Sequence, residues 1–105
     1  MGSPSFWYDN HVMWKFEADY AKAHRDLRAN VFLYIGAFEA ARPNDRRFNR
    51  TRDMVNDVEL FERRLKKRGY PNLRIGSEVL AGENHLTVFP SGFTRGLIWT
   101  LPAQP

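Results

Sequence analysis

The sequence predicts an α/β fold with two parallel strands and three helices, in the order helix, strand, helix, strand, helix. Three observations carry this reading. Val31-Phe32-Leu33-Tyr34-Ile35 is a continuous apolar run without alternation, as in a strand buried on both faces of a parallel sheet. Leu73 to Ala81 is a second strand-like run, and one amphipathic helix lies between the two. A strand–helix–strand crossover within one sheet is right-handed and makes its strands parallel.

Each element has local signals. Ser3-Pro4-Ser5 reads as loop, and Asp9-Asn10, after the aromatic triplet Phe6-Trp7-Tyr8, is a candidate N-cap pair. From His11 to about His24, Met13, Phe16, Tyr20 and Ala23 recur at helical spacing. Asp26 to Asn30 is a short polar connection before the strand run Val31 to Ala37, which is followed by Glu39. Residues 40–49, with Pro43, Asn44 and Asp45, form a polar loop. Thr51 opens the central helix, whose apolar stripe is Met54, Val55, Val58, Phe61 and Leu65. Gly69 ends it and Pro71 prevents its return. In the second strand Ile75, Val79 and Leu80 are apolar and Gly76 is a candidate bulge. Beyond Gly82-Glu83-Asn84-His85, the spacing of Leu86, Phe89, Phe93, Leu97 and Leu101 predicts a last helix with Pro90 in its first turn. The tail from Pro102 to Pro105 is expected to fray.

A chain of 105 residues is at most one domain, with a modest core. Two parallel strands would leave Val31–Ile35 with an unpaired apolar edge, a risk of self-association. Residues 1–105 are therefore expected to be a single partial domain, the carboxyl-terminal part of a larger α/β sheet. No apolar run is long enough to span a bilayer, and Met1 to Ser5 lacks a signal-peptide pattern, so no membrane partner is expected. The compartment stays open, with the cytoplasm as default. The absence of cysteine excludes disulfides and thiolate catalysis. The net charge of +4 comes with two basic clusters, Arg42, Arg46, Arg47, Arg50 and Arg52, then Arg63, Arg64, Lys66, Lys67 and Arg68. They read either as solvated faces, the second favoured by the helix dipole, or as an anion-binding patch. Nucleic acid is not an expected partner, because no recognised motif is present and the basic residues are spread over loop and helix.

The chemistry points to the strand exits. A histidine on a tight loop at the carboxyl end of a strand is where open α/β sheets place reacting groups, and His85 occupies such a loop. Glu39 follows the first strand. An acid and a histidine in this chain order are two members of an acid–His–Ser hydrolase triad, but no G-x-S-x-G is present to supply the nucleophile. Ser3, Ser5, Ser77 and Ser91 lack the glycine context of a nucleophile elbow. His11 and His24 do not have the spacing of a zinc-binding helix, so neither a metal nor another cofactor is expected.

Taken in order, Ser3-Pro4-Ser5-Phe6-Trp7, Val31 to Glu39, Met54-Val55, Leu65, Arg68-Gly69-Tyr70-Pro71, Gly82-Glu83-Asn84-His85 and Arg95-Gly96-Leu97 resemble the carboxyl-terminal part of a family of α/β-hydrolase esterases. That family includes siderophore (ferric-enterobactin) esterases, S-formylglutathione hydrolases and feruloyl-type esterases, and the bacterial siderophore-esterase-like members look most similar. The resemblance runs from Ser3 to Leu101. It implies an ester substrate and a nucleophilic serine on a segment before Ser3, so the chain alone is expected to be an inactive part of an esterase; the alternatives are a small basic stand-alone binding module for an acidic partner, or a half-domain that needs a separately encoded amino-terminal half. It also implies that His85 is the catalytic base, the alternative being a surface-loop histidine. Glu39 matches the acid, with Asp45, Asp53 and Asp57 as alternatives if the polar loop folds back. Trp7 is placed at the substrate pocket, or else it is a core plug with Phe6. Leu86 and Tyr8 depart from the family pattern, where a small residue and a second tryptophan are common, so the pocket shape is expected to differ.

Overall fold

A computed structural model describes residues 1–102; the expected fraying of the tail past Pro102 lies outside the described residues. The elements are α1 (Tyr8–Ala23), β1 (Ala29–Gly36), a single 3-10 turn (Ala37–Glu39), α2 (Met54–Lys67), β2 (Leu73–Leu80) and α3 (Val88–Thr100). The order is the predicted one, helix, strand, helix, strand, helix, and the two strands are parallel. Their register runs unbroken from Ala29↔Leu73 to Gly36↔Leu80, so Gly76 forms no bulge. Gly76 instead makes room for Trp99, whose ring would stand 2.9 Å from a Cβ at that position.

β1 is the centre of the molecule. Leu33 and Ile35 enter a core with Phe6, Met54, Val58, Phe61, Leu65 and Tyr70. Phe32 and Tyr34 enter a second core with Leu80, Val88 and Trp99. Successive residues of one strand point to opposite faces, so the non-alternating apolar run fills both cores at once. Ile35 and Val58 are completely buried, each stabilising the fold by about 1.5–3 kcal/mol before entropy is counted.

α2 follows its apolar stripe and its stop signal, but it opens at Asp53 rather than at the expected Thr51, because the Asp53 side chain supplies the cap. The Asp53 carboxylate accepts from the Asn56 N–H at 2.9 Å as N-cap, Met54, Val58, Phe61 and Leu65 are buried, and Arg64, Lys66 and Lys67 lie in the last turn. Gly69 ends the helix with φ +68°.

The other two helices turn different faces inward from those expected. In α1, Tyr20 of the predicted stripe packs on the core, but Met13 and Phe16 are exposed, while Trp14 packs on the core and Glu17 is buried. The reason is chemical: Trp14 meets the rings of Phe6 and Phe61, and Glu17 meets Arg68, the C-cap of α2. Asp9-Asn10 is not an N-cap either. Asp9, Asn10 and His11 take left-handed backbone angles, φ 48°, 53° and 59°, so regular helix starts after His11. In α3 the stripe Leu86, Phe89, Phe93 and Leu101 is exposed, and the helix docks through Val88, Gly92 and Gly96. Gly92 abuts the Tyr34 ring and Gly96 abuts Met1, so small residues set the approach where large ones were expected.

The second edge of β1 is partly occupied. The Gly2 N–H donates to the Phe32 carbonyl at 3.0 Å and the Tyr34 N–H donates to the Gly2 carbonyl at 2.9 Å, a parallel bridge on the side away from β2. β1 thus has the pairing of an interior strand at Phe32–Tyr34, which corrects the expectation of an edge left wholly unpaired.

Candidate active site

Parallel register places Gly36 beside Leu80 at the carboxyl end of the sheet, so the segments leaving both strands emerge together. The first turns at once into the 3-10 helix that ends at Glu39, whose carboxylate reaches back to accept the Gly36 N–H at 2.8 Å. The second turns at Gly82, with φ +76°, and carries His85. The Glu83 carbonyl accepts the Phe38 N–H at 3.0 Å and ties the two segments. Gly36 permits this approach, because a side chain there would strike the Glu83 backbone.

Asn84 shapes the histidine loop. Its side-chain oxygen accepts the N–H groups of Leu86 at 2.9 Å and Thr87 at 3.0 Å, and its own N–H donates to the Thr87 hydroxyl at 2.9 Å. Its carbonyl accepts the Val88 N–H at 3.0 Å as α3 begins. Asn84 and Gly36 hold the two segments in place, a role that the sequence pattern assigned to neither. The signal for Asn84 is the Asn-x-x-Thr spacing before an apolar helix, whereas the need for glycine at 36 depends on a segment distant in sequence.

The outcome is a carboxylate–imidazole pair. His85 Nδ1 lies 2.7 Å from Glu39 Oε1. A carboxylate only accepts hydrogen bonds, so Nδ1 carries the proton and Nε2 of a neutral ring keeps its lone pair. The Glu39 side chain is 2% exposed and that of His85 is 55% exposed. The acid is enclosed, and the imidazole stands between it and solvent. Nε2 has no partner among the described residues. A ring held by a buried acid through Nδ1, with Nε2 open, is suited to taking a proton from a hydroxyl and returning it to a leaving group.

The alternative acids lie elsewhere in the hydrogen-bond network. Asp45 pairs with Arg47 at 2.7 Å, and this partner holds its carboxyl down at about 2. Asp53 caps α2, and Asp57 lies 3.7 Å from His11 Nε2. Trp7 packs at the edge of the Phe6 core with the Arg52 guanidinium 3.7 Å over its ring. It lines a cleft with Asn10, His11 and Arg52, and neither Glu39 nor His85 lines that cleft. Leu86, beside the histidine, is 88% exposed. The polar loop is anchored to the site by Asn49, whose side-chain N–H donates to the Glu39 carbonyl at 2.9 Å.

A scan against protein-family models finds no match, and a search of curated proteins finds none. Among solved structures the fold is similar to the crystal structure of BES protein from Bacillus cereus. The TM-score is 0.67 at 25% sequence identity, over 95% of this chain and 34% of that one. The chain thus has the fold of about a third of that protein's length.

Proposed function

We propose that this chain is the histidine-bearing portion of a serine carboxylic-ester hydrolase, whose nucleophile comes from a segment outside it. The observation that carries the reading is the 2.7 Å contact between His85 Nδ1 and the enclosed Glu39 carboxylate at the carboxyl end of parallel strands. The likeness of the fold to part of a longer protein, the Gly2 bridge on β1 and the exposed Phe89 and Phe93 of α3 support a larger sheet around it.

The chemistry follows from the geometry. His85 Nε2 removes the proton of a serine hydroxyl as its oxygen attacks the ester carbonyl. Glu39 stabilises the imidazolium and holds the ring so that only Nε2 faces the reaction. The imidazolium then protonates the departing alkoxide, and an acyl-serine remains. Water attacks it, giving up a proton to Nε2, and the proton passes to the serine oxygen as the acid is released. Trp7 as a wall of the acyl pocket belongs to this reading.

The test is to read the coding DNA upstream of Met1 and to express whatever precedes it in frame together with this chain. The expected result is an upstream G-x-S-x-G, hydrolysis of a short-chain aryl ester by the longer protein, and loss of that hydrolysis in His85→Ala. The chain alone is expected to be inactive. Turnover that survives His85→Ala, or a longer protein without a nucleophile, would overturn the proposal.

A further inference from the structure

A second concave surface lies between α1 and α2, lined by neither Glu39 nor His85. It is a groove of about 760 Å³. One wall is Leu60, Arg63, Arg64 and Lys67 of α2 with its C-cap Arg68, which recur at helical spacing on the face beside the buried stripe. Trp14 and Ala18, one turn apart on α1, form the other wall.

Three features distinguish it from an ordinary solvated basic face. First, it has a fixed frame. Buried Glu17 holds Arg68 through two hydrogen bonds of 2.8 Å, with Arg64 at 3.7 Å, and this pairing raises the Arg68 guanidinium further above its ordinary value. Second, the charge is unbalanced. Four cations line the groove, while Glu17 is the acid that meets two of them. Arg63 and Lys67 have no carboxylate partner among the described residues; the Arg63 Nε–H reaches only the Glu59 carbonyl at 3.4 Å. Third, the wall contains apolar surface, with Leu60 39% exposed and Ala18 beside Trp14.

We infer that this groove binds an acidic peptide segment, with carboxylates on Arg63 and Lys67 and an apolar side chain against Leu60 and Ala18. The charge complementarity selects an anion, and guanidinium forks pair well with planar carboxylates. The volume suits a few side chains. Arg63 and Lys67 are one helical turn apart, about 6 Å along the axis, which matches two carboxylates at i and i+4 of a helical ligand. Single-stranded nucleic acid needs open aromatic faces. Trp14 is already covered by the Arg64 guanidinium at 4.7 Å and meets Phe61 edge-on, and no other aromatic lines the groove.

The test is fluorescence anisotropy of the full chain with a fluorescein-labelled helical peptide carrying Glu at successive i, i+4 positions beside Leu. The same peptide with Gln for Glu, and a single-stranded oligonucleotide, serve as competing probes. Saturable binding of the Glu peptide is expected, weakened about tenfold in Arg63→Glu/Lys67→Glu and less in Leu60→Ser. Both variants alter exposed side chains, and far-ultraviolet circular dichroism checks that they fold. Equal binding of the Gln peptide, affinity unchanged by the charge reversal, or tighter binding of the oligonucleotide would each overturn the inference.

Discussion

Glu17 and Glu39 are both buried carboxylates, 7% and 1% exposed, yet they are compensated by different chemistry. Glu17 is answered by guanidinium groups, the Arg68 fork at 2.8 Å and Arg64 at 3.7 Å, which stay charged at any pH the protein meets. Glu39 is answered by the Gly36 N–H and by the imidazole of His85, a partner able to take up and release a proton at Nε2. A carboxylate held by arginine is a fixed bolt between two helices. One held by histidine orients a proton carrier, and its own electrostatic balance changes when that carrier gains a proton. Burial of an acid alone therefore does not indicate chemistry; the identity of the counter-group does.

The largest expected effects come from exchanging these roles. In the proposed longer hydrolase, His85→Ala is expected to lower kcat/KM by about 10⁴-fold and Glu39→Gln by about 10²- to 10⁴-fold. Glu17→Gln should leave it unchanged while lowering Tm. Steady-state kinetics and a thermal melt on the same preparations separate the two, and a catalytic loss in Glu17→Gln as deep as in Glu39→Gln would break the comparison.

Next in size is the stability of the helix bolt. Arg68→Ala removes both 2.8 Å bonds and is expected to lower Tm by roughly 4 °C or more. Arg68→Lys should cost less, since it keeps the charge without the fork. Equal loss in the two variants would show that the fork geometry, rather than the charge, holds Glu17.

The glycine contacts come third. Gly92→Ala drives a methyl into the Tyr34 ring and Gly36→Ala drives one into the Glu83 backbone, each expected to destabilise by about 1–3 kcal/mol in chemical denaturation. Only Gly36→Ala should also disturb the His85 Nδ1–H resonance, because it pushes apart the segments that carry Glu39 and His85. An unchanged resonance in a destabilised Gly36→Ala protein would separate the close approach from the pair.

The smallest effect concerns the exposed Asp45–Arg47 pair. Its carboxyl is held below the ordinary 3.8, at about 2, first by the Arg47 side-chain hydrogen bond. A depressed folded-state value means that the contribution to stability is complete above about pH 4 and is lost as the pH falls through about 2. Arg47→Ala should raise the Asp45 midpoint in a carbon-13 NMR titration while Tm at neutral pH barely moves. A midpoint that stays at about 2 would assign the shift to other groups of the loop.

Much of the fold was legible because its signals are local. The β1 run reads as doubly buried from its composition, and α2 reads from its stripe, Gly69 and Pro71. The faces of α1 and α3 were misread for one shared reason. Apolar spacing marks the wettest and driest faces of an isolated helix, but a buried ion pair drew Glu17 inward, and glycines let α3 dock on its smallest face. The left-handed turn at Asp9–His11 has Asp and Asn as a compatible local signal, though these residues serve N-caps equally well. In the candidate site, His85 and Glu39 were visible as strand-exit residues and Glu39 was the first-choice acid, but that its carboxylate, rather than that of Asp45, Asp53 or Asp57, lies against His85 depended on the tertiary contact.

By itself the sequence determined the element order, the parallel crossover and the composition of β1, because these depend on backbone preference and on residues a turn or two apart. The tertiary structure decided what meets what. Glu39 and His85 are 46 residues apart and pair because the parallel register brings both strand exits to one end of the sheet and glycine at 36 lets them approach. Glu17 and Arg68 are 51 apart and pair because α1 and α2 cover the same face. Such contacts are set by closure of the chain around one shared core, and several acids in the sequence satisfied the local requirements equally well.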